Sequence, residues 1–180
     1  FPTEITGETG DLIRERGREY GRATGRPRRC GWFDAVLSRY AARLNGCDRV
    51  ALTLLDVLDG FEEIQVCTSY ARVPQDAVPV GRSLGRCVPV YEKLPGWKTE
   101  IAGERRWESL PARARDYVEF LEKCTGTRIG MISTGPERDD VILAGKISFT
   151  GQVFGVDGVG VALNATRSLR RPLGAFLSPD

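Results

Sequence analysis

Hydrophobic positions recur with the spacing of a helix near the end of the first quarter of the chain. Between residues 33 and 44 they fall at i, i+3, i+4, i+7, i+8 and i+11, which predicts a helix with one buried face. The residues of that face are Phe33, Val36, Leu37, Tyr40, Ala41 and Leu44. A second helix is predicted from Pro111 to Lys123, because proline is favoured in a first turn and Gly126 follows as a stop.

Short apolar or alternating runs predict strands around these helices. The predicted strands cover residues 50–55, 62–70, 88–91, 129–132 and 140–143. Ahead of them, residues 8–20 predict a charged surface helix that Gly21 ends, with Glu8 and Asp11 in its first turn. Helices and strands interleave along the chain, so the α/β class is expected.

The composition is that of a globular protein, with 41% hydrophobic and 28% charged residues among 180. The net charge of +2 is too small to indicate nucleic acid or a membrane as a partner. The chain has no apolar run of about 18 residues and no secretory signal at its start. It opens on Phe1 rather than methionine, which suggests a processed chain or a piece of a longer one.

The chain has no histidine and five cysteines, and this limits its chemistry. Cys30, Cys47, Cys67, Cys87 and Cys124 are odd in number and lack the spacing of a zinc site. They are expected to be reduced thiols in a cytoplasmic protein. Without histidine a Ser-His-Asp triad is excluded, so catalysis by this chain alone would need carboxylates, lysine or cysteine.

Arginines crowd residues 14–29, where Glu15 and Glu19 are the local acids. Residues 22–29 have no apolar periodicity and predict a loop, which Pro27 stiffens and Gly25 opens to close backbone approach. A guanidinium group binds a carboxylate or a phosphate through two parallel hydrogen bonds, so this loop is a candidate clamp for a small dianion. A solvated basic turn is the alternative that the composition leaves open.

Two further candidate segments follow predicted strands. Asp56 ends the apolar run 52–56, and one carboxylate in such a place can accept hydrogen bonds from both N1–H and N2–H of guanine. Residues 133–136 (STGP) are small and are able to present backbone amides to a base carbonyl. Each segment also fits an ordinary turn after a strand.

Taken in order, these segments resemble the adenylosuccinate synthetase family. The matching stretches are residues 1–4 (FPTE), 24–34 (TGRPRRCGWFD), 55–60 (LDVLDG), 89–92 (PVYE), 94–97 (LPGW) and 132–139 (ISTGPERD). The resemblance implies the C-terminal part of a P-loop-NTPase-like α/β fold over residues 1–144, a mixed sheet with flanking helices. Residues 145–180 are glycine-rich and unmatched, and are expected to be a disordered or frameshift-derived tail.

The resemblance implies a ligase that joins IMP and L-aspartate using GTP and Mg²⁺, typically as a homodimer. By resemblance, the residues that bind aspartate are Arg22, Ala23, Thr24, Gly25, Arg26, Pro27 and Arg28. Arg26 would also reach IMP, and Arg28 the GTP side. The residues implied to contact GTP are Arg28, Leu54, Leu55, Asp56, Ser133, Thr134 and Gly135. The catalytic residues and the Mg²⁺ ligands are expected upstream of Phe1, so this chain is expected to supply neither.

The sequence departs from the family at two of these positions. Ala23 stands where the family usually has threonine, and Leu54 where it usually has lysine, so a hydroxyl and a side chain over the base are absent. Three hypotheses remain: the binding part of a synthetase, a truncated binding module without catalysis, and a nucleic-acid binder that uses the arginines. An assay of the chain alone separates the first two, and a steep loss of binding with salt would mark the third.

Overall fold

The computed structural model describes residues 1–74, 77–79 and 81–143. Its helices are α1 (Glu8–Arg16), α2 (Ala35–Leu44) and α3 (Ala112–Thr125). Its strands are β1 (Phe33–Asp34), β2 (Arg49–Leu52), β3 (Glu63–Tyr70), β4 (Pro89–Pro95), β5 (Arg128–Ser133) and β6 (Val141–Leu143). Short 3-10 turns occupy Leu55–Leu58, Gly81–Arg86 and Trp107–Ser109. The tail expected over residues 145–180 lies outside the described residues.

The strands form two mixed sheets, so the expected α/β class is confirmed while the single expected sheet is divided in two. In the order β1-β3-β4, β1 is parallel to β3, and β4 is antiparallel to it. In the order β2-β5-β6, β2 is parallel to β5, and β6 is antiparallel to it. Leu52 lies opposite Ile132, so β2 and β5 end side by side.

One hydrophobic core joins the two sheets. It contains Ile64 from β3, Ile132 from β5 and Leu121 from α3, all fully buried. The buried residues of α3 are Ala114, Tyr117, Val118, Leu121 and Thr125, the spacing of one helix face. The hydrophobic core therefore supports the carboxyl ends of β2 and β5, which do not depend on loops alone.

Local backbone signals, which the apolar pattern does not contain, set the ends of α1 and α2. The predicted helix over 8–20 is too long, since α1 stops at Arg16, Gly17 follows, and Arg18 adopts a positive φ of 50°. The predicted start of α2 at Phe33 is also wrong. Asp34 Oδ1 accepts hydrogen bonds at 3.1 Å from the amides of Val36 and Leu37, which makes Asp34 the N-cap.

The predicted buried face of α2 is only partly correct. Val36 is buried, but Tyr40 is 42% and Leu44 71% exposed. The helix instead buries small residues, Ala35, Ser38 and Ala42, along with Val36. Small side chains let α2 pack closely against α3 and β3, both of which it contacts. The prediction was based on large apolar residues, and those at the end of α2 lie on the exposed side of the helix.

Two leucines on helices provide a matched test of this packing. Leu121→Ala should lower the free energy of unfolding by about 2–5 kcal/mol, because a fully buried leucine leaves a cavity. Leu44→Ala should change it by less than about 0.5 kcal/mol, because Leu44 is exposed. Urea unfolding followed by far-UV circular dichroism measures both, and equal losses in the two variants would contradict the placement of the core.

Candidate functional site

The predicted arginine loop is a hairpin, and residues 20–27 are called the arginine hairpin below. Tyr20 and Pro27 form an antiparallel bridge. The Gly21 amide donates to the Arg26 carbonyl at 2.8 Å, and the Gly25 amide donates to the Gly21 carbonyl at 2.7 Å. Gly25 has a φ of 63°, a conformation that side chains disfavour. The hairpin presents residues 22–27 to solvent.

The arginines of this region differ in their partners. Arg28 Nη1 lies 3.0 Å from Glu19 Oε2, and Arg29 pairs with Glu4. Within residues 1–74, 77–79 and 81–143, Arg22 and Arg26 have no acidic partner. Two guanidinium groups are therefore free for an anion, while Arg28 would have to share or exchange its carboxylate.

The backbone that follows the hairpin is held against the start of the chain. Glu4 and Gly31 form an antiparallel bridge, and the Trp32 amide donates to the Thr3 carbonyl at 3.1 Å. A Cβ atom at Gly31 would lie 2.3 Å from the Thr3 oxygen, so only glycine allows this approach. Residues 1–4 and 24–34, two of the stretches that resemble the family, are therefore in direct contact.

Asp56 lies in the 3-10 turn Leu55–Leu58, called the Asp56 turn below. Strand β2 stops at Leu52, and Leu54 then adopts the left-handed conformation, with φ 60° and ψ 42°. Among the described residues, Asp56 Oδ1 is the one buried side-chain oxygen or nitrogen without a hydrogen-bond partner. A buried acceptor of this kind needs an explanation, and a ligand that brings N–H donors would supply one.

Electrostatics at Asp56 favour a donor-bearing ligand over another anion. Burial raises the pKa of the Asp56 carboxyl group above its ordinary value, and the nearby carboxylates of Asp59 and Asp140 raise that pKa further. A hydrogen bond from the amide of Asp56 itself acts in the opposite direction. An N–H donor placed at Oδ1 would stabilise the ionised form, so ligand binding and ionisation support each other.

Asp59, which sequence reasoning did not single out, anchors the Asp56 turn. Its Oδ1 accepts a hydrogen bond from Trp97 Nε1 at 2.6 Å, and its Oδ2 accepts one from the Ile101 amide at 2.9 Å. Trp97 is buried in the core. These bonds join residues 55–60 to residues 94–97, two of the stretches that resemble the family. The presence of both stretches in one sequence was the signal that could have pointed to Asp59.

The turn at residues 133–135 is built from internal hydrogen bonds. Thr134 is fully buried, its hydroxyl donates to the Glu104 carbonyl at 2.7 Å, and its amide donates to the Asp140 carbonyl at 2.9 Å. A Cβ atom at Gly135 would lie 2.6 Å from Asp140 Oδ2. Thr134 therefore shapes the turn. Gly135 is buried as well, which leaves the half-buried Ser133 as the more accessible candidate contact to a ligand.

The structure brings the predicted segments onto neighbouring elements. Strands β2 and β5 are parallel neighbours, so the Asp56 turn and residues 133–135 leave the same edge. The Asp56 turn also contacts α1, the helix that leads into the arginine hairpin. Ligands of open α/β sheets bind at the carboxyl ends of strands, which is where these segments meet.

The described residues contain neither a candidate metal-binding cluster nor a candidate membrane-spanning helix. In residues 1–74, 77–79 and 81–143, no group of three or more histidine, cysteine, aspartate or glutamate side chains is placed to hold a metal ion. The described helices also include none that is both long and apolar enough to cross a membrane.

The fold and the candidate site at the carboxyl ends of β2 and β5 define the class of protein as an α/β domain. The family model for adenylosuccinate synthetase matches residues 1–142. The adenylosuccinate synthetases of Moorella thermoacetica and Trichlorobacter lovleyi are 49% and 50% identical over 146 residues, 79% of this chain. The chain belongs to the adenylosuccinate synthetase family.

Both relatives are much longer than the part that matches. The match covers 34% of each, so the chain spans about a third of their length. A structure of fully ligated adenylosuccinate synthetase from Plasmodium falciparum is similar, with a TM-score of 0.76 and 38% identity. That likeness covers 81% of this chain and 36% of the Plasmodium chain.

Proposed function

We propose that this chain carries the aspartate-binding and guanine-binding parts of an adenylosuccinate synthetase. The reaction is IMP + L-aspartate + GTP to adenylosuccinate + GDP + phosphate, a step of AMP synthesis. The observation that carries the proposal is the buried, unpartnered Oδ1 of Asp56 at the carboxyl edge of β2 and β5. Guanine offers two adjacent N–H donors that suit one carboxylate, and the named relatives support the same ligand.

The two parts of the site take different ligands in this proposal. The aspartate carboxylates bind the arginine hairpin and Arg28, where Arg26 also contacts IMP and Arg28 also contacts the GTP side. Guanine binds Asp56, flanked by Leu54 and Leu55, with Ser133, Thr134 and Gly135 forming the facing turn. The free guanidinium groups of Arg22 and Arg26 support the first assignment, since a dicarboxylate needs paired donors.

The proposal also covers the Mg²⁺ ligands, the catalytic groups, the assembly and the cellular location. Mg²⁺ and the catalytic groups are assigned to residues outside the described part, in a longer synthetase polypeptide that assembles as a homodimer. A cytoplasmic location fits the five free thiols, as expected in a reducing compartment.

The test uses a chimera and the chain by itself. In the chimera, residues 1–142 replace the matching stretch of the Moorella thermoacetica synthetase, and adenylosuccinate formation is followed by absorbance with IMP, aspartate, GTP and Mg²⁺. Turnover is expected in the chimera but not in the 180-residue chain. GDP binding by the chain without turnover would mark it as a binding module. A folded chimera that neither turns over nor binds GDP would reject the proposal.

A further inference from the structure

We propose that Arg16 is a positioning residue that holds the Asp56 turn in place and ties it to the arginine hairpin. The inference rests on the proposed function only for the identity of the ligand at Asp56. The contacts that carry it belong to the protein alone.

The side chain of Arg16 binds backbone carbonyl groups in and just after the Asp56 turn. Its Nη1 donates to the Val57 carbonyl at 3.3 Å and also donates to the Asp59 carbonyl. The same guanidinium group lies over the Phe61 ring, 5.3 Å from the centroid. One planar side chain thus contacts three positions between Val57, inside the turn, and Phe61, which precedes β3.

The position of Arg16 in the chain gives these bonds a second consequence. Arg16 is the last residue of α1, and the arginine hairpin begins at Tyr20. A Cβ atom at Gly17 would lie 3.6 Å from Val57 Cγ2, so the end of α1 sits directly on the turn. Movement of the turn would therefore be transmitted to the base of the hairpin.

The Asp56 turn needs restraint from outside. The chain enters it through Leu54 in a left-handed conformation, which is unfavourable for a residue other than glycine. The Oδ1 atom of Asp56 is buried without a hydrogen-bond partner, which also opposes this geometry. Asp59 restrains the turn from the core side through Trp97, and Arg16 restrains it from the α1 side.

The first experiment needs no ligand and uses the whole 180-residue chain. In Arg16→Gln, hydrogen exchange of the Val57, Asp59 and Gly60 amides should be faster by about fivefold or more than in the original chain. Hydrogen exchange of the Gly21 and Arg28 amides, which lie at the base of the hairpin, should also be faster in Arg16→Gln. Arg43→Gln is the matched control, because Arg43 is an exposed arginine in the last turn of α2. Unchanged exchange in Arg16→Gln overturns the proposal, and so does an equal increase in the core amides of α3.

The second experiment measures the consequence for binding. Calorimetric titration with GDP should give a dissociation constant about 5–30 times higher in Arg16→Gln, and an unchanged one in Arg43→Gln. Equal affinity in Arg16→Gln and the original chain would overturn the positioning role for the ligand. If neither the original chain nor the folded chimera binds GDP, the assignment of guanine to Asp56 fails, and the exchange data still decide whether Arg16 holds the turn.

Discussion

Asp56→Asn in the chimeric synthetase should weaken the use of GTP by about 10²–10⁴-fold in kcat/KM. The range corresponds to two hydrogen bonds to a charged group, each worth about 1.5–3 kcal/mol. Asparagine offers one acceptor and one donor, so its NH₂ group would face the N2 amino group of guanine. Xanthosine triphosphate has a carbonyl oxygen at that position, and its use should improve in the same variant.

The measurement is steady-state kinetics with each nucleotide varied at saturating IMP and aspartate. Asp139→Asn is the control, because Asp139 is an exposed acid near the facing turn and should leave both nucleotides unaffected. Affinity for GDP should also fall as the pH drops through the raised pKa of Asp56, since protonation removes an acceptor. A GTP KM and kcat unchanged in Asp56→Asn would show that guanine binds elsewhere.

The helix that the sequence predicted best has clear start and stop residues. Helix α3 agrees closely with the predicted span 111–123, because Pro111 is its N-cap and Gly126 ends it in a left-handed conformation. The prediction for α2 ended correctly at Leu44 but began two residues early, and its predicted buried face was only partly correct. Its contact with α3 depends on small residues such as Ala35 and Ala42, which carry little hydrophobic signal.

The candidate site was predictable as residue types but not as contacts. The run ending in Asp56 indicated a carboxylate after a strand, yet its burial follows from packing that brings Asp59 and Asp140 near it. Asp59 and Trp97 are distant in the sequence, and nothing in the period of either segment indicates that they share a hydrogen bond. Arg16 was one arginine among several, and only the fold distinguishes it.

The arginine hairpin shows the same limit for charges. Composition identified a basic cluster with Glu19 nearby, but it did not show which arginines are neutralised. The structure pairs Arg28 with Glu19 and Arg29 with Glu4, and it leaves Arg26 without an acid in the described residues. These exposed pairs contribute little to stability, so their value here is to separate structural arginines from available ones.

The assignment of aspartate to the arginine hairpin predicts the effect of removing single arginines from the chimera, where Arg28 would exchange Glu19 for the ligand. Arg26→Ala and Arg28→Ala should each raise the KM for aspartate and lower kcat until little activity remains, because a bidentate bond to a carboxylate is lost. Arg26→Ala should leave the urea midpoint unchanged, since Arg26 has no acidic partner in residues 1–74, 77–79 and 81–143.

Arg29→Ala is the control that makes this prediction specific to the site. Arg29 lies beside the hairpin and is as exposed as its neighbours, but its guanidinium group pairs with Glu4 and stacks on Phe1 at 5.2 Å. Its removal should have little effect on stability, because an exposed ion pair is screened by solvent, and should leave the aspartate KM near its original value. Kinetics with aspartate varied would compare all three variants at one concentration of IMP and GTP. If Arg26→Ala and Arg28→Ala behaved like Arg29→Ala, the arginine hairpin would be a solvated basic turn and not an aspartate clamp.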